Sequence, residues 1–486
     1  MLTTPPLAAV FASESPRLNP RHAPLISSVI GGGAIIVFLA LLAQAFFRQG
    51  LAGWSVGLVY IFYDTCLLLF TAWQMRAMLR PVARVAGARP SLGVIIASYN
   101  EARALPVTID GLFSQSEPPD LIVIADDGSD DGTAAMLTAR YGLSAGVRLV
   151  ASGAPDLLWL PVAHGGKARA LNYAITHVDS DVVLTVDADT LIEEHAIGAM
   201  RAAFAAEPAL VAATGVLTPV CGHTASGRFF EWFQRYEYIR NFVSRYAWMQ
   251  LNSLLLISGA FAAFRRDAVV QVGGFDPECL VEDYELIHRL HRHSTDHALG
   301  WTVRVVGGAQ ARTDAPETLP AFLRQRRRWF AGFLQTQRWN RDMTGNRRFG
   351  WLGTAMMPVK ALDTLQPIYG LAAFAILIGA LSLGRLRVAF PIIVVMLCKV
   401  LVDLSFHLWS LAMYRRWTGE ARVVNYPKAI LAAILEPFSF QLMRHAGAAW
   451  GWWTFLTGRQ SWGFTSRGGI VAQGMLPSTA RQPIGD

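Results

Sequence analysis

The stretch Asp120-Leu121-Ile122-Val123-Ile124-Ala125-Asp126-Asp127-Gly128-Ser129-Asp130-Asp131-Gly132-Thr133, DLIVIADDGSDDGT, decides how the middle of the chain is built. A short β-branched and aliphatic run stops abruptly in carboxylates and glycines, the pattern of a buried strand ending in a polar loop. Two similar runs accompany it: LGVIIA from Leu92, followed by Ser98-Tyr99-Asn100-Glu101, and DVVLTVD from Asp181, followed by Ala188-Asp189-Thr190. Ala- and Leu-rich helical stretches lie between them. This alternation predicts an α/β domain with a mostly parallel sheet and helices on both faces. Ligands of open α/β sheets bind outside the carboxyl ends of the strands, so three polar loops at such ends point to one pocket.

Each loop alone is weak, because Asp-Asp-Gly is a common turn and Asp-x-Asp arises often by chance. Their order and strand-end placement carry the reading. Asp187 and Asp189, one residue apart with no His or Cys nearby, offer hard oxygen donors suited to Mg²⁺ or Mn²⁺ bridging to a diphosphate. Between the second and third loops, His164-Gly165-Gly166-Lys167-Ala168-Arg169-Ala170-Leu171-Asn172 sets glycines and a Lys before a helix, a placement suited to phosphate. It lacks the Walker spacing, and a Gly-rich turn with solvated basic side chains competes with the phosphate reading.

Outward from this core the chain turns apolar. With 486 residues and 53% hydrophobic content it is too apolar for an ordinary soluble enzyme. Residues 25–75 hold two uncharged or nearly uncharged runs, each long enough to span a bilayer, the second interrupted by Asp64. Arg76, Arg80, Arg84 and Arg89 follow and put residue 90 onward in the cytoplasm by the positive-inside rule. The soluble domain is expected over 90–345, with residues 226–250 as an interfacial or buried surface helix. A C-terminal membrane and interfacial region is expected over 351–456, including spans near 366–384 and 389–413. Residues 427–456 read equally as a broken span, a re-entrant hairpin or an interfacial segment. Residues 1–24 read as a disordered tail, not a cleaved signal, and 457–486 as a C-terminal tail. Asp64, Lys399, Asp403 and Arg444 lie in or near spans, where ionisable groups are costly. The four isolated cysteines indicate neither a disulfide framework nor a zinc site.

The net charge of +8 and the run Arg324-Gln325-Arg326-Arg327-Arg328-Trp329 admit a topology signal, a nucleic-acid patch or a site for an anionic, ring-bearing substrate. In a helix Gln325, Arg328 and Trp329 share one face. Arg326 and Arg327 point elsewhere and read as lipid-headgroup or topology charges. No nucleic-acid motif accompanies the arginines.

The ordered set SYNE, DDGSDDGT, GGKARALN, VDADT, Ile257-Ser258-Gly259-Ala260-Phe261, Val281-Glu282-Asp283 and Gln325 to Trp329 resembles the membrane-integrated family 2 glycosyltransferases, the group of cellulose, chitin, hyaluronan and poly-N-acetylglucosamine synthases. The motifs cover residues 90–335, and the flanking spans match in architecture. The resemblance implies an α/β glycosyltransferase domain inserted between N- and C-terminal transmembrane helices, in the inner (plasma) membrane, with the catalytic domain cytoplasmic. It implies Asp283 as catalytic base and Tyr99, Glu101, Asp127, Lys167, Asp187, Gln325 and Arg328 around the donor nucleotide. Asp189 with Asp187 would hold Mg²⁺ or Mn²⁺; Ser258, Gly259 and Trp329 would meet the acceptor. Many relatives have Thr where this chain has Val281.

The implied activity is processive, inverting polymerisation of a β-linked polysaccharide from a UDP-sugar, with UDP-N-acetylglucosamine favoured. The run from Ile257 to Arg266 and the late Trp462-Gly463-Phe464-Thr465-Ser466-Arg467-Gly468 look most like poly-N-acetylglucosamine synthases. The implied partners are the UDP-sugar, a growing glycan or lipid acceptor and membrane lipids, with a separate accessory subunit left open. A single-transfer glycolipid enzyme is the alternative. A transporter or receptor with an inactive domain is disfavoured, because every acidic position of the motif set is filled.

Overall fold

The structure, a computed structural model, describes residues 6–48, 50–79, 89–150, 152–419, 425–458 and 470. The chain begins with α1 (Leu7–Glu14), α2 (Leu25–Phe47), a short α3 (Gly50–Gly53) and α4 (Ser55–Met75). The α/β region follows as β1 (Leu92–Ser98), α5 (Leu105–Phe113), β2 (Leu121–Asp126), α6 (Thr133–Tyr141), β3 (Arg148–Leu149), β4 (Asp156–Pro161), α7 (Lys167–Ile175), β5 (Val182–Asp187) and β6 (Thr190–Ile192). It continues through α8 (Ala196–Ala206), β7 (Leu210–Val220), α9 (Ala225–Met249), β8 (Phe261–Arg265), α10 (Arg266–Gln271), α11 (Glu282–Asp296), β9 (Thr302–Asp314) and α12 (Leu319–Trp339). The C-terminal region holds α13 (Met357–Ser382), α14 (Leu386–Thr418), α15 (Tyr426–Leu435) and α16 (Phe440–Thr457).

The strands form one mixed sheet in the order β3-β4-β2-β1-β5-β8-β7-β9-β6. From β4 through β2 and β1 to β5 every pair is parallel, as the alternating runs predict. β1 and β2 are buried along nearly their whole length, which explains why their apolar runs are continuous and not alternating. In the other half β8 runs antiparallel between β5 and β7 and β6 runs antiparallel to β9, while β7 and β9 pair parallel, so the sheet is mixed but mostly parallel, as expected.

Among the described residues, four helices are long and apolar enough to cross a membrane: Leu25–Phe47, Ser55–Met78, Leu352–Ser382 and Ala389–Thr418. They mark the chain as a membrane protein. The first, about 34 Å long at 1.5 Å per residue, has no fully buried residue in its apolar window; Phe38, Leu41 and Leu42 pack on neighbouring helices and much of the remaining aliphatic surface is left to lipid. The third begins well before the span read at 366–384, at Leu352, in a π-turn at Leu352–Met356. The ambiguous 427–456 region resolves into α15 and α16, separated by a 3₁₀ turn at Glu436–Phe438 that contains Pro437, and neither helix is among the candidate spans. Of the intramembrane ionisable groups, Lys399 Nζ lies 2.6 Å from Asp64 Oδ2 and also pairs with Asp403, so these three satisfy one another.

The sheet is tied to the membrane helices by two elements. α9 is mostly buried, packing on β7 and β9 on one side and on α4 and α14 on the other, which decides between the two readings of 226–250 in favour of a buried helix. α16 lies along α12, and the approach needs small residues. A Cβ on Gly447 would sit 2.6 Å from Arg326 Cβ, and one on Gly451 would sit 2.6 Å from Phe330 Cβ.

The expected disordered tail is corrected over residues 7–21. α1 buries Phe11, whose ring lies 4.9 Å from the guanidinium carbon of Arg289, and Arg17 makes two 2.9 Å hydrogen bonds to the fully buried carboxylate of Asp276. Glu14 approaches His293 at 3.2 Å and Arg21 reaches Asp296 at 2.6 Å. Local composition reads as tail because the partners lie more than 250 residues away. Arg17→Met strands the Asp276 carboxylate in the interior, and we expect a loss of about 2–3 kcal/mol, measured as a lowered denaturation midpoint. A midpoint unchanged by this substitution would mean that the tail is not docked.

Candidate active site

The register of the parallel strands sets the site. Ser98 pairs with Asp126 and Ala97 with Asp187, so the loops after β1, β2 and β5 leave the sheet at one edge. Every site residue expected from the sequence lines a single cavity of about 920 Å³ at that edge. The cavity also continues past α11 and α12 to Lys360, Gln366 and Pro367 of α13 and to Arg444 and His445 of α16.

At the sheet end, Tyr99 stacks on the ring of His164, with centroids 4.3 Å apart, a partner that the sequence reading missed. Asp127 accepts hydrogen bonds from Gly165 N at 2.8 Å and Gly166 N at 2.9 Å, pinning the glycine loop against β2. Lys167 opens α7 and reaches across to Asp187 Oδ1 at 2.5 Å, Glu282 Oε1 at 3.6 Å and the Gly259 carbonyl oxygen at 3.5 Å. Burial works to lower the Lys167 pKa, but the Asp187 and Glu282 carboxylates outweigh it and hold it well above the usual value. Burial pushes Glu282 above the usual carboxylate range against the opposing pull of Lys167.

Asp283 follows Glu282 in the first turn of α11. Its Oδ2 accepts from Gly259 N at 2.7 Å and its Oδ1 from Tyr284 N at 2.8 Å. Glycine at position 259 suits this contact, because a Cβ there would crowd Oδ2 at 3.0 Å and the Asp283 Cβ at 3.2 Å. The loop leading into Asp283 is held by α12: Arg328 donates to the Leu280 carbonyl at 2.9 Å, and the Gln335 side chain accepts from Leu280 N at 3.3 Å. Ser258 is fixed through its N–H to Thr214 Oγ1 at 3.2 Å, and Glu101 lies on the cavity wall beside Tyr99.

The arginine cluster divides differently from the sequence reading. Arg326 is no headgroup charge: it is buried, bonded at 2.9 and 2.6 Å to both oxygens of the buried Glu237 on α9, with Arg444 Nη1 3.6 Å from the same carboxylate. Its guanidinium carbon also lies 4.6 Å from the Trp329 ring centroid, covering part of that indole. Arg327 lies over the Trp450 ring of α16 at 4.8 Å. A buried pairing between residues so distant in sequence leaves no local signal.

Asp187 and Asp189 line the cavity at the end of β5. Among the described residues no three His, Cys, Asp or Glu side chains gather to hold an ion by themselves. The donor set nevertheless suits Mg²⁺ or Mn²⁺, which commonly bind through one or two carboxylates, waters and substrate phosphates.

The profile described as Glycosyl transferase family group 2 matches residues 182–407, from β5 into α14. The chain carries a family 2 glycosyltransferase domain. The motifs around Tyr99, Asp127 and Lys167 lie upstream of that match and join the domain through the sheet register. The domain is similar to poly-beta-1,6-N-acetyl-D-glucosamine synthases: 28% identity over 243 residues to that of Staphylococcus aureus strain COL, covering 49% of this chain and 53% of the relative. The Staphylococcus epidermidis protein is 28% identical over 250 residues, covering 50% and 54%. The chain thus matches about half the length of these curated relatives. In fold it is similar to the mannosyltransferase PcManGT from Pyrobaculum calidifontis, solved in complex with GDP-Man and Mn²⁺, with a TM-score of 0.52 and 20% identity over 82% of this chain and 99% of that one.

Proposed function

We propose that this glycosyltransferase domain polymerises a β-linked polysaccharide from a UDP-sugar, UDP-N-acetylglucosamine before others, by inverting transfer at a cytoplasmic membrane face. The observation that carries the reading is the continuous cavity. It joins the strand-end loops to Asp283 and Trp329 and runs on between the C-terminal helices, a route for a lengthening chain. The staphylococcal synthases support the choice of sugar. Charge near the first and last spans, Arg76 and Arg89, then Arg415 and Arg416, supports the cytoplasmic placement.

In this mechanism Tyr99 and Asp127 border the nucleoside, and Lys167 with Arg328 faces the diphosphate. Asp187 and Asp189 would hold Mg²⁺ or Mn²⁺, which when bound supplies neutralising charge for the leaving diphosphate. Asp283 takes the proton of an acceptor hydroxyl as that oxygen bonds to the anomeric carbon; the bond to UDP breaks, and UDP leaves with its electrons. Attack opposite the departing group converts an α-linked donor into a β-linked product. Gln325 on α12 joins the donor side, while Trp329, with Ser258 and Gly259 beside the base, faces the acceptor. The motif Trp462 to Gly468, read as a further likeness to these synthases, lies outside the described residues.

The test is incubation of detergent-purified protein with Mg²⁺ or Mn²⁺ and a panel of radiolabelled UDP-sugars, with products separated by size and by solvent extraction. The expected product is a long polymer from one donor, lost when EDTA removes the metal and restored by its return. A short, solvent-extractable product would establish the glycolipid alternative, and no product from any donor would overturn the reading.

A further inference from the structure

Arg245 of α9 lines the same cavity as Asp283 and takes no part in the mechanism above. Its Nε and Nη1 are shielded from solvent and have no hydrogen-bond partner among the described residues. Lys167, Arg326, Arg328, Lys360 and Arg444 of the same wall each have an oxygen partner, and Arg324 has one buried N–H without a partner, where Arg245 has two. The Phe242 ring, 4.6 Å from the Arg245 guanidinium carbon, covers one face but accepts neither N–H. Burial lowers the pKa of Arg245 to about 10, and the Asp283 carboxylate opposes that shift without cancelling it. Buried donors left unmet are costly, so such a group is built for oxygen atoms that arrive with a ligand.

Position indicates which ligand. Arg245 and Asp283 line the same cavity, and the Asp283 carboxylate favours the charged guanidinium. Lys167, Asp187 and Asp189 form the phosphate side at the end of β5. Tyr238, Trp248 and Trp329 line the same cavity and offer flat apolar faces with polar edges, surfaces suited to sugar rings.

We propose that Arg245 is an acceptor-binding residue, its guanidinium donating to carbonyl or hydroxyl oxygens of the saccharide held beside Asp283. This rests on the glycosyltransferase reading above, and it supplies a contact from α9 that none of the sequence motifs contains. Such charge-assisted bonds fix the orientation of a sugar that the aromatic faces alone would let slide.

The test uses full-length protein in detergent and two probes, β-1,4- and β-1,6-linked N-acetylglucosamine tetrasaccharides, with binding followed by saturation-transfer NMR and UDP binding by calorimetry. In Arg245→Met, tetrasaccharide affinity should fall about tenfold or more, as expected for lost bonds to a charged group, while UDP affinity stays unchanged. Arg245→Lys, which keeps the charge and one donor, should fall between the two and serves alone if the Met variant does not fold. Weakened UDP binding with saccharide binding intact would assign the guanidinium to the diphosphate and overturn the proposal. Equal saccharide binding in variant and wild type, or none in wild type, would overturn it as well. Failure of the parent reading shows separately, as absence of transfer from every donor by the wild-type enzyme.

Discussion

Asp283→Asn should abolish transfer, with turnover falling roughly 10²–10⁴-fold as expected for loss of a general base, while UDP affinity stays within about twofold by calorimetry. Asp283 accepts two backbone N–H groups, from Gly259 and Tyr284, and an amide can accept only one of them in the same pose. A stability cost of about 1 kcal/mol is therefore expected, small beside the kinetic effect. The neighbouring Glu282 is the natural control. It faces Lys167 at 3.6 Å, and Glu282→Gln should disturb the charge balance around Lys167 and the nucleotide without removing the base. Near-normal turnover in Asp283→Asn would move the base elsewhere.

The second large effect is on stability. Arg326→Met leaves the Glu237 carboxylate buried with only Arg444, 3.6 Å away, to oppose it. Breaking a buried pair on one side costs roughly 3–5 kcal/mol, and the nearby Arg444 places this case at the lower end. Pairing the change with Glu237→Gln should recover much of the loss, since the stranded charge is then gone and the two sites couple directly. The denaturation midpoints of wild type, both single variants and the double variant in one detergent give the coupling. If Arg326→Met shifts the midpoint no more than the exposed Arg347→Met does, the pair contributes nothing and the packing of α12 on α16 must hold this junction alone.

What could be read ahead of the structure was what is local. The runs before Asp126 and Asp187 are short, β-branched and closed by turn residues, so strand, parallel pairing and strand-end site followed together. The cavity gathers Tyr99, Lys167, Asp189, Asp283 and Trp329 as their order along the chain implied. What escaped reading depends on distant partners. β8 between β5 and β7 has the same composition whether it runs parallel or antiparallel. Arg326 looked like a surface charge because its acceptor lies on another helix, 89 residues earlier. The 226–250 segment mixes aromatics and arginines in a way that suits lipid and protein surroundings equally, and burial against β7 and β9 decided between them.

The docking of α1 has a practical corollary. Residues 90–345 look like a unit that could be cut out and expressed as a soluble enzyme. Such a fragment would expose the Asp276 carboxylate without Arg17, uncover the face of Arg289 now shielded by Phe11, and leave Glu237 short of Arg444. The loop from Asp276 to Asp283 would lose its outer support just where the proposed base is aimed. The enzyme is sewn together from both ends of its chain, and trimming it to its recognisable middle removes the stitches.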